Sequence, residues 1–409
     1  IEALLSRRLD SGAESKGTSG DPADEPSNRD PALRDRDRGE EYLNNGEFAR
    51  ALIIFDNLIQ RNSLERQQLA VVYRLRGMTH HRMTEFEPAL VDYEKATQLD
   101  PLDSWTFFHR GETESALGDY ERAIDSFDEA IRLKPNVPES WRLRGYAYYR
   151  LDQSERAIED YDEAIRRDPN SWPSFQNRAV TYLRVSGRTG LGALYGETSP
   201  ESEHLVEKAI KDIDVAIRLA PDDPENYAIK AVSYIRLKQF ENAIEPINEA
   251  ISLAPDRIHR YGHRGYAYMG MGQFEKAIAD FDRMIDGLPN YGGISHILHM
   301  RGWAYSQLGQ HERAIEDHDA AWSMDSADPD TYFARGWAYN QLGQHERAIE
   351  DFNQTIAMYS EQGAEHFAGA VHEIGEAYYW RGYAYRGLGQ IEKAERDVAK
   401  ARELGYEGS

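Results

Sequence analysis

The stretch PESWRLRGYAYYRLDQSERAIEDYDEAIRRDP, residues 138–169, contains two consecutive helix patterns. In its first half, Trp141, Gly145 and Tyr148 lie four and three residues apart, which places them on one face of a helix. The second half carries a similar stripe and stops before Pro169, a residue that interrupts helices. Its apolar positions are Ala157, Ile158, Tyr161, Ala164 and Ile165. Small residues let two helices approach closely and large ones fill the space beside them, so the stretch predicts a packed helix pair.

The same pattern recurs along the chain. A basic residue followed at once by Gly or Ala marks each copy, and an Ala-Ile pair usually follows twelve residues after the small residue. The ten pairs are Arg38-Gly39, Arg76-Gly77, Arg110-Gly111, Arg144-Gly145, Arg178-Ala179, Lys230-Ala231, Arg264-Gly265, Arg301-Gly302, Arg335-Gly336 and Arg381-Gly382. Their commonest spacing is 34 residues, a period typical of solenoids built from repeats of two helices and two turns. The sequence therefore predicts an all-α chain of about ten helix-turn-helix repeats.

The chain resembles the tetratricopeptide repeat family over about residues 32–404. Large residues stand where the family has its tryptophan: Tyr73, Phe107, Trp141, Phe175, Tyr227, Tyr261, Leu298, Tyr332 and Tyr378. The family's tyrosine position is matched by Tyr42, Tyr148, Tyr182, Tyr234, Tyr268, Tyr305, Tyr339 and Tyr385. Its terminal proline is matched by Pro101, Pro135, Pro169, Pro221, Pro255 and Pro289. The resemblance implies a solenoid wound as a right-handed superhelix, whose first helices line a concave groove that binds extended peptides or partner helices.

Several segments depart from the repeat. Residues 1–31 are expected to form a disordered or tethering segment, because most of this stretch is dense in Ser, Gly, Asp and Pro. The ten-repeat solenoid is predicted over 32–404, with a C-terminal tail at 405–409. An extra 18 residues predict a loop at 186–203, and twelve more are inserted around 362–375. The loop is interpreted either as a tolerated insertion or as a flap that contacts a partner.

Composition limits the class of partner. The net charge is −23, from 71 acidic and 48 basic residues, so binding to nucleic acid is disfavoured. The absence of cysteine excludes disulfides and thiolate zinc sites. No apolar run has the length of a membrane span, and the chain is expected to be soluble. It begins with Ile1 rather than Met, which fits a removed signal peptide or anchor as well as a cytoplasmic protein, and the compartment stays open.

The recurrent basic residue is predicted to be structural. It lies beside the small packing residue, and an acid recurs in the second helix of most repeats. These acids are Asp92, Asp160, Asp212, Asp280, Asp317, Asp351 and Asp397. A partly buried guanidinium needs a carboxylate partner, so we expect pairing within each repeat.

Recognition is predicted on the variable face of the first helices. The residues two before and two, five and six after the basic residue share one helix face. From the second to the sixth repeat this face is rich in arginine: Arg74, Arg82, Arg142, Arg150, Arg184 and Arg236. Such a strip would attract an acidic segment of a partner, each arginine pairing with a carboxylate. The alternative is that these arginines are merely solvated, since Glu112 and Glu139 dilute the strip.

From the seventh repeat onward the same face becomes aromatic. Its residues are Tyr266, Trp303, Phe333, Trp337, Tyr379 and Tyr383. Large aromatic side chains on a variable face are the usual composition of interface hot spots. The alternative is that they pack against the first helix of the next repeat.

No cofactor or catalytic residue is predicted. His259 and His263 lie four residues apart, and His296 and His299 follow one repeat later, which raises the question of a metal site. No carboxylate is placed clearly with them, so surface or packing roles are predicted and no metal is expected. Without a cluster of convergent polar residues, the chain is predicted not to be an enzyme.

The leading hypothesis is a non-enzymatic scaffold that binds an extended or helical segment of a protein partner in its groove. The alternative is a structural subunit of a larger complex, which makes its contacts through the outer face and the insertions. Replacing Trp303 and Trp337 should abolish binding in the first case and leave it unchanged in the second.

Overall fold

The computed structural model describes residues 30–61, 63–187, 199–288, 292–324, 328–361 and 368–408. Nearly all of the predicted N-terminal segment 1–31, the centre of the predicted loop at 186–203 and residues 362–367 of the second insertion lie outside the described residues. Within the described residues the secondary structure consists of helices and turns, without strands. The predicted all-α class is confirmed.

The chain divides into two compact units, Ile1–Pro221 and Asp222–Ser409, each with five helix pairs among its described residues. The helices of the N-terminal unit are α1 (Pro31–Asn44), α2 (Phe48–Arg61), α3 (Arg66–Arg82), α4 (Phe86–Leu99), α5 (Ser104–Leu117), α6 (Tyr120–Leu133), α7 (Pro138–Arg150), α8 (Ser154–Arg167), α9 (Trp172–Val185) and α10 (Pro200–Leu219). Those of the C-terminal unit are α11 (Pro224–Arg236), α12 (Phe240–Leu253), α13 (His259–Gly270), α14 (Phe274–Gly287), α15 (Ile294–Gln307), α16 (His311–Met324), α17 (Pro329–Gln341), α18 (His345–Glu361), α19 (Ala368–Gly387) and α20 (Ile391–Glu403). Odd-numbered helices are the first helices of their repeats, and even-numbered helices are the second.

A left-handed residue ends the first helix of most repeats. Gly118, for example, has φ of 82° just after α5, and Gly343 has φ of 71° after α17. Glycine adopts this conformation without the steric cost that a Cβ atom brings. Thr84, Asp152 and Lys238 occupy the equivalent turns with φ between 55° and 61°. The short turn therefore forms in every one of these repeats, with or without glycine.

The core of each pair is built on the recurrent small residues. The alanines that follow twelve residues after them have no exposed surface: Ala51, Ala89, Ala123, Ala157, Ala243, Ala277, Ala314, Ala348 and Ala394. Most of the recurrent glycines of the first helices lie against rings of the second helices, as Gly145 does against Tyr161. Close approach of the two helix backbones explains why these positions stay small.

The recurrent arginine is confirmed as structural. Nε and Nη2 of Arg144 donate to the two carboxylate oxygens of Asp160 at 2.8 and 2.7 Å, while Nη1 donates to Asp128 in the second helix of the preceding repeat. All seven predicted acids form such two-point pairs: Asp92, Asp160, Asp212, Asp280, Asp317, Asp351 and Asp397. Each guanidinium thus connects helices as well as neutralising a carboxylate.

Both insertions contribute helix where they are described. The prediction of a loop over 186–203 is wrong at its end, because α10 already begins at Pro200. Ser199 caps that helix by accepting a hydrogen bond from the Ser202 amide at 3.2 Å, and Pro200 suits the first helical position. Residues 368–375 of the second insertion form the first two turns of α19, which is 20 residues long. This extension supplies part of the site described next.

Candidate functional site

A cavity of about 410 Å³ lies in the C-terminal unit, between the first helices of three consecutive repeats. Its described lining consists of His299, Trp303, Ser306 and Gln307 from α15; Asp330, Phe333, Ala334 and Trp337 from α17; Tyr359 from α18; and Glu373, Glu376 and Trp380 from α19. We call this cavity the tryptophan pocket. Its volume is in the range of sites that enclose small ligands or single side chains.

Sequence register explains much of this lining. The four variable positions counted from Arg301 are residues 299, 303, 306 and 307, and all of them line the pocket. Two of the four counted from Arg335, Phe333 and Trp337, do so as well. In the tenth repeat the register differs, and the lining residues are Glu373, Glu376 and Trp380.

The aromatic wall is held by contacts between rings. The rings of Trp337 and Trp380 meet edge to face, with centroids 6.3 Å apart and planes at 83°. Trp303 packs its ring on Phe274 at 5.7 Å and is still 38% exposed. Phe333 packs on Phe352 at the same centroid distance. The rings are therefore fixed by the fold and remain accessible from the pocket.

Three carboxylates make the pocket acidic as well as aromatic. Asp330 accepts a hydrogen bond from the Tyr359 hydroxyl, and Glu376 accepts from Trp380 Nε1 at 3.4 Å. Burial raises the pKa of Glu373, and the negative charges of Asp330 and Glu376 act in the same direction. None of the described lining residues is Lys or Arg, and no described Lys or Arg lies within ion-pair distance of these three carboxylates. The pocket is thus both aromatic and acidic.

Two further polar groups face the same space. Ser306 is only 4% exposed, and its hydroxyl has no hydrogen-bond partner among the described residues. Nδ1 of His299 lies 3.4 Å from the Thr331 hydroxyl, and burial lowers the pKa of His299, so its ring is neutral near neutral pH. Neither group brings a positive charge to the pocket at that pH.

The predicted aromatic residues do not all meet here. Trp303, Phe333 and Trp337 line the pocket, whereas Tyr266 is buried against Phe240 with ring centroids 6.0 Å apart. Tyr379 packs between Trp380 and Tyr406, at 5.5 and 5.4 Å, and Tyr383 packs beside Trp380 at 5.7 Å. Tyr266 is thus a packing residue, but its ring partner lies in α12, the second helix of the preceding repeat, and not in the first helix of the next repeat as the alternative expected.

Sequence reasoning missed the contribution of α19. Trp380 precedes its arginine directly and therefore falls outside the four positions of the variable face. Glu373 was assigned to an insertion rather than to a repeat. The available signal was spacing: Glu373, Glu376 and Trp380 lie three and four residues apart, which puts them on one face of a helix.

At least three of the six predicted arginines are held by polar contacts with other described residues. Arg74 pairs with Asp103 at 3.1 Å, Nη1 of Arg150 donates to the Tyr146 hydroxyl at 2.9 Å, and Nη1 of Arg184 donates to the Tyr149 carbonyl at 2.6 Å. Arg236 is buried, and burial lowers its pKa. The remaining two are Arg82, which is exposed, and Arg142, which is half-buried.

The predicted basic strip is therefore not a row of free cations. Its side chains are long enough to reach acceptors and rings in the neighbouring repeat, as Arg184 does at Tyr149, which lies 35 residues earlier. Such contacts satisfy a guanidinium within the fold. An acidic partner would have to displace them.

The histidines do not assemble a ligand set. Within the described part of the chain, no group of three or more His, Asp or Glu side chains has an arrangement that would hold a metal ion. Burial lowers the pKa of His259, His263 and His296 to about 4. Their rings pack against one another in two pairs, His259 with His263 in α13 and His296 with His299 in α15. The same part of the chain contains no helix that is long and apolar enough to cross a bilayer.

Comparison with known families identifies the repeats. One sequence model of the tetratricopeptide repeat matches residues 109–171 and 299–363. A second model with the same description matches residues 224–257, 258–286 and 375–404. No curated protein matches the sequence.

Several solved structures are similar in fold. A tetratricopeptide repeat protein from Parabacteroides merdae ATCC 43184 is 18% identical, with a TM-score of 0.46, over 62% of this chain and 93% of that protein. YrrB, described as a tetratricopeptide repeat protein with an unusual peptide-binding site, is 16% identical, with a TM-score of 0.42, over 52% of this chain and 98% of its own. MamA from Desulfovibrio magneticus RS-1, from residue 41 to its end, is 19% identical, with a TM-score of 0.39, over 46% of this chain and 95% of its own.

Proposed function

The chain belongs to the tetratricopeptide repeat family, whose members are protein-interaction scaffolds, and we propose that it is a non-enzymatic scaffold that binds a segment of a partner protein in the tryptophan pocket. The observation that carries the proposal is the convergence of Trp303, Trp337 and Trp380 from three consecutive repeats on one cavity of about 410 Å³. Tryptophan is the residue most enriched among interface hot spots, because its large ring loses much water-exposed surface on binding.

Packing alone does not account for these rings. Trp303 contacts Phe274, and Trp337 contacts His311 at 5.6 Å, so both have partners inside the unit. Both nevertheless line the pocket, and Trp303 keeps more than a third of its surface exposed. Stability would favour covering such a ring, whereas a docking site needs it accessible.

The test compares tryptophans inside and outside the pocket. The full chain is immobilised, and partners are captured from a lysate of its source, with the Trp303→Ala/Trp337→Ala double variant beside the wild type. Trp322→Ala is the matched control, because Trp322 is 41% exposed in the same unit but does not line the pocket. The double variant should lose a partner that the wild type and the control retain, with about 30-fold weaker binding for a loss of about 2 kcal/mol. Equal capture by all three proteins, with unchanged helicity, would contradict the proposal.

A second candidate, a structural subunit of a larger complex, is favoured by two exposed apolar side chains. Ile53 in α2 and Val91 in α4 are 61% and 59% exposed and occupy equivalent positions of the first two repeats. Apolar residues that recur on an outer helix face favour contact with another protein. Ile53→Ser/Val91→Ser should then disrupt the assembly measured by light scattering, and Trp303→Ala/Trp337→Ala should not. If Trp303→Ala/Trp337→Ala disrupted the assembly and Ile53→Ser/Val91→Ser did not, only the tryptophan pocket would remain as a candidate interface.

A further inference from the structure

The tryptophan pocket carries a charge pattern that specifies its ligand more narrowly. Asp330, Glu373 and Glu376 present carboxylates to the cavity, and no described lining residue is basic. Like charges brought together in a half-buried site repel one another and destabilise the fold unless a cation joins them. No described Lys or Arg of this chain lies within ion-pair distance of these three carboxylates.

Two of the three carboxylates, those of Asp330 and Glu376, are held in place by hydrogen bonds. Tyr359 donates to Asp330, and both burial and the Asp330 charge raise the pKa of Tyr359, so its hydroxyl remains protonated. Glu376 accepts from Trp380 and from the Tyr406 hydroxyl, each at 3.4 Å. A site whose acceptors are positioned before binding spends less conformational entropy when the ligand arrives.

The aromatic wall suits the same ligand. Trp337 and Trp380 stand at 83° to each other, so their planes form a corner on one side of the cavity. The face of an aromatic ring carries negative charge density and attracts an organic cation, most strongly in the case of tryptophan. A corner of two such rings in a cavity that also presents carboxylates favours a cationic group with an apolar stem over a small inorganic ion.

An unsatisfied hydroxyl points to a polar ligand independently. Ser306 lines the cavity and is only 4% exposed. Its Oγ has no hydrogen-bond partner among the described residues. A buried hydroxyl without a partner destabilises the fold, because it has lost its hydrogen bonds to water without replacing them. An N–H donor that enters the pocket would supply the missing hydrogen bond.

We propose that the tryptophan pocket binds the side chain of an arginine or lysine from a basic segment of the partner protein. The apolar stem lies along Trp303 and Trp337, and the charged end lies between the carboxylates and the ring of Trp380. This inference rests on the proposed function and adds the chemistry of the partner. The net charge of −23 would also draw a basic segment toward the chain.

The experiment selects short peptides from a random displayed library on the immobilised full chain. Peptides that also bind Trp303→Ala/Trp337→Ala are removed. For those that remain, affinity is measured by fluorescence anisotropy against the wild type, Glu373→Gln/Glu376→Gln and the control Glu346→Gln/Glu350→Gln. The control removes two negative charges from exposed positions of α18, outside the pocket. Each selected peptide is also made with norleucine in place of its basic residue.

The selected peptides should share an Arg or Lys. Replacing that residue by norleucine, or both pocket glutamates by glutamine, should weaken binding about tenfold, equal to about 1.4 kcal/mol, and the control should not. Selected peptides that lack a basic residue, or that ignore the glutamate changes, would overturn this inference and leave the proposed function standing. If no peptide depends on Trp303 and Trp337, the proposed function fails and the inference fails with it.

Discussion

The ring of Phe127 lies so close to Gly111 that a Cβ atom on Gly111 would be 2.8 Å from Cε1 of that ring. The same relationship recurs in other repeats, with Gly39 and Phe55, Gly77 and Tyr93, Gly145 and Tyr161, Gly265 and Phe281, and Gly336 and Phe352. Where the first helix carries alanine instead, the equivalent second-helix residue is smaller: Ile213 for Ala179 and Ile247 for Ala231. The two positions therefore divide one fixed volume between them.

Substituting Gly111→Ala should destabilise the protein by about 1–2 kcal/mol, because overpacking costs about 1–3 kcal/mol and the better helix propensity of alanine recovers up to about 1 kcal/mol. Phe127→Ile alone should also destabilise it, since it leaves a cavity. Together they reproduce the alanine and isoleucine combination of other repeats. The double variant should be more stable than the sum of the single changes predicts, by about 0.5–3 kcal/mol in urea unfolding.

Gly382→Ala provides the comparison for this prediction. Gly382 faces Val398 rather than a ring, and its nearest neighbours would lie 3.1 and 3.2 Å from a new Cβ atom. It should lose less stability than Gly111→Ala. Strictly additive effects of Gly111→Ala and Phe127→Ile would refute the idea of a shared volume.

Removing one partner of a repeat ion pair should cost far more than removing a surface pair. Asp160→Ala leaves the guanidinium of Arg144 half-satisfied by Asp128 in a partly buried position, and should lower the free energy of unfolding by about 2–4 kcal/mol. Glu163→Ala, on the same helix, removes pairs with the exposed Arg166 and with Arg167, which keeps its hydrogen bond to the Pro135 carbonyl, and should cost about 0–1 kcal/mol. Urea unfolding at constant pH measures both. Equal losses would mean that Arg144 does not depend on Asp160.

The residues that pack the helices of the repeats could be predicted from the sequence because the same contact recurs in each repeat. Arg144 and Asp160 meet at a fixed sequence distance of 16 residues, and six of the seven pairs share that distance. The seventh, between Arg178 and Asp212, is lengthened by the insertion between its helices. A repeated spacing of this kind is visible without coordinates.

The pocket was predictable only in part. Trp303 and Trp337 follow the repeat register, but Glu373 lies in a segment that has no counterpart in the other repeats. Its position depends on α19 beginning at Ala368, which no repeat position indicates. The arginines show the converse difficulty: Arg184 follows the register, yet its role is decided by how far its side chain reaches into the neighbouring repeat.

His318 occupies the ring position of the eighth repeat and should be a point of weakness. It is fully buried, and neither ring nitrogen has a partner among the described residues. Phe281 and Phe352 fill the equivalent positions of the adjacent repeats. His318→Phe should therefore raise the free energy of unfolding by about 1–3 kcal/mol at neutral pH, the usual cost of an unsatisfied buried polar group. The reciprocal Phe352→His should lower it.

The same substitution should change how stability depends on pH. Burial and the neighbouring His299 and Arg335 hold the pKa of His318 well below its ordinary 6.5. As the pH falls below about 6.5, the unfolded chain takes up a proton there and the folded chain does not, so stability is lost by up to about 1.4 kcal/mol per pH unit. His318→Phe should make this slope smaller by the contribution of one proton, while His259, His263 and His296 still contribute to it. Parallel stability curves between pH 7 and 5 would show that His318 is protonated in the folded state.

Binding of a basic peptide should weaken as the pH falls, because the pocket loses negative charge. The groups that face it are Glu373 and Glu376 from α19, Asp330 from α17, Tyr359 from α18 and His299 from α15. The pKa of Glu373 is raised above its ordinary 4.5, so we expect mild acidification to neutralise this carboxylate. Affinity is then full well above that pKa and falls as the pH passes through it.

Anisotropy titrations of a selected basic peptide between pH 7.5 and 4.5 measure this dependence. Glu373→Gln should bind more weakly at neutral pH and should lose the first part of the decline, because its side chain no longer takes up a proton. Glu350→Gln removes the same charge from an exposed position and should keep the wild-type profile. Protonation of His299 would also weaken binding, so the decline that Glu373→Gln retains includes the titration of His299, whose pKa burial lowers from its ordinary 6.5. If Glu373→Gln retains the full pH dependence of the wild type, Glu373 does not hold the cation, and the charge that attracts it must come from Asp330 or Glu376.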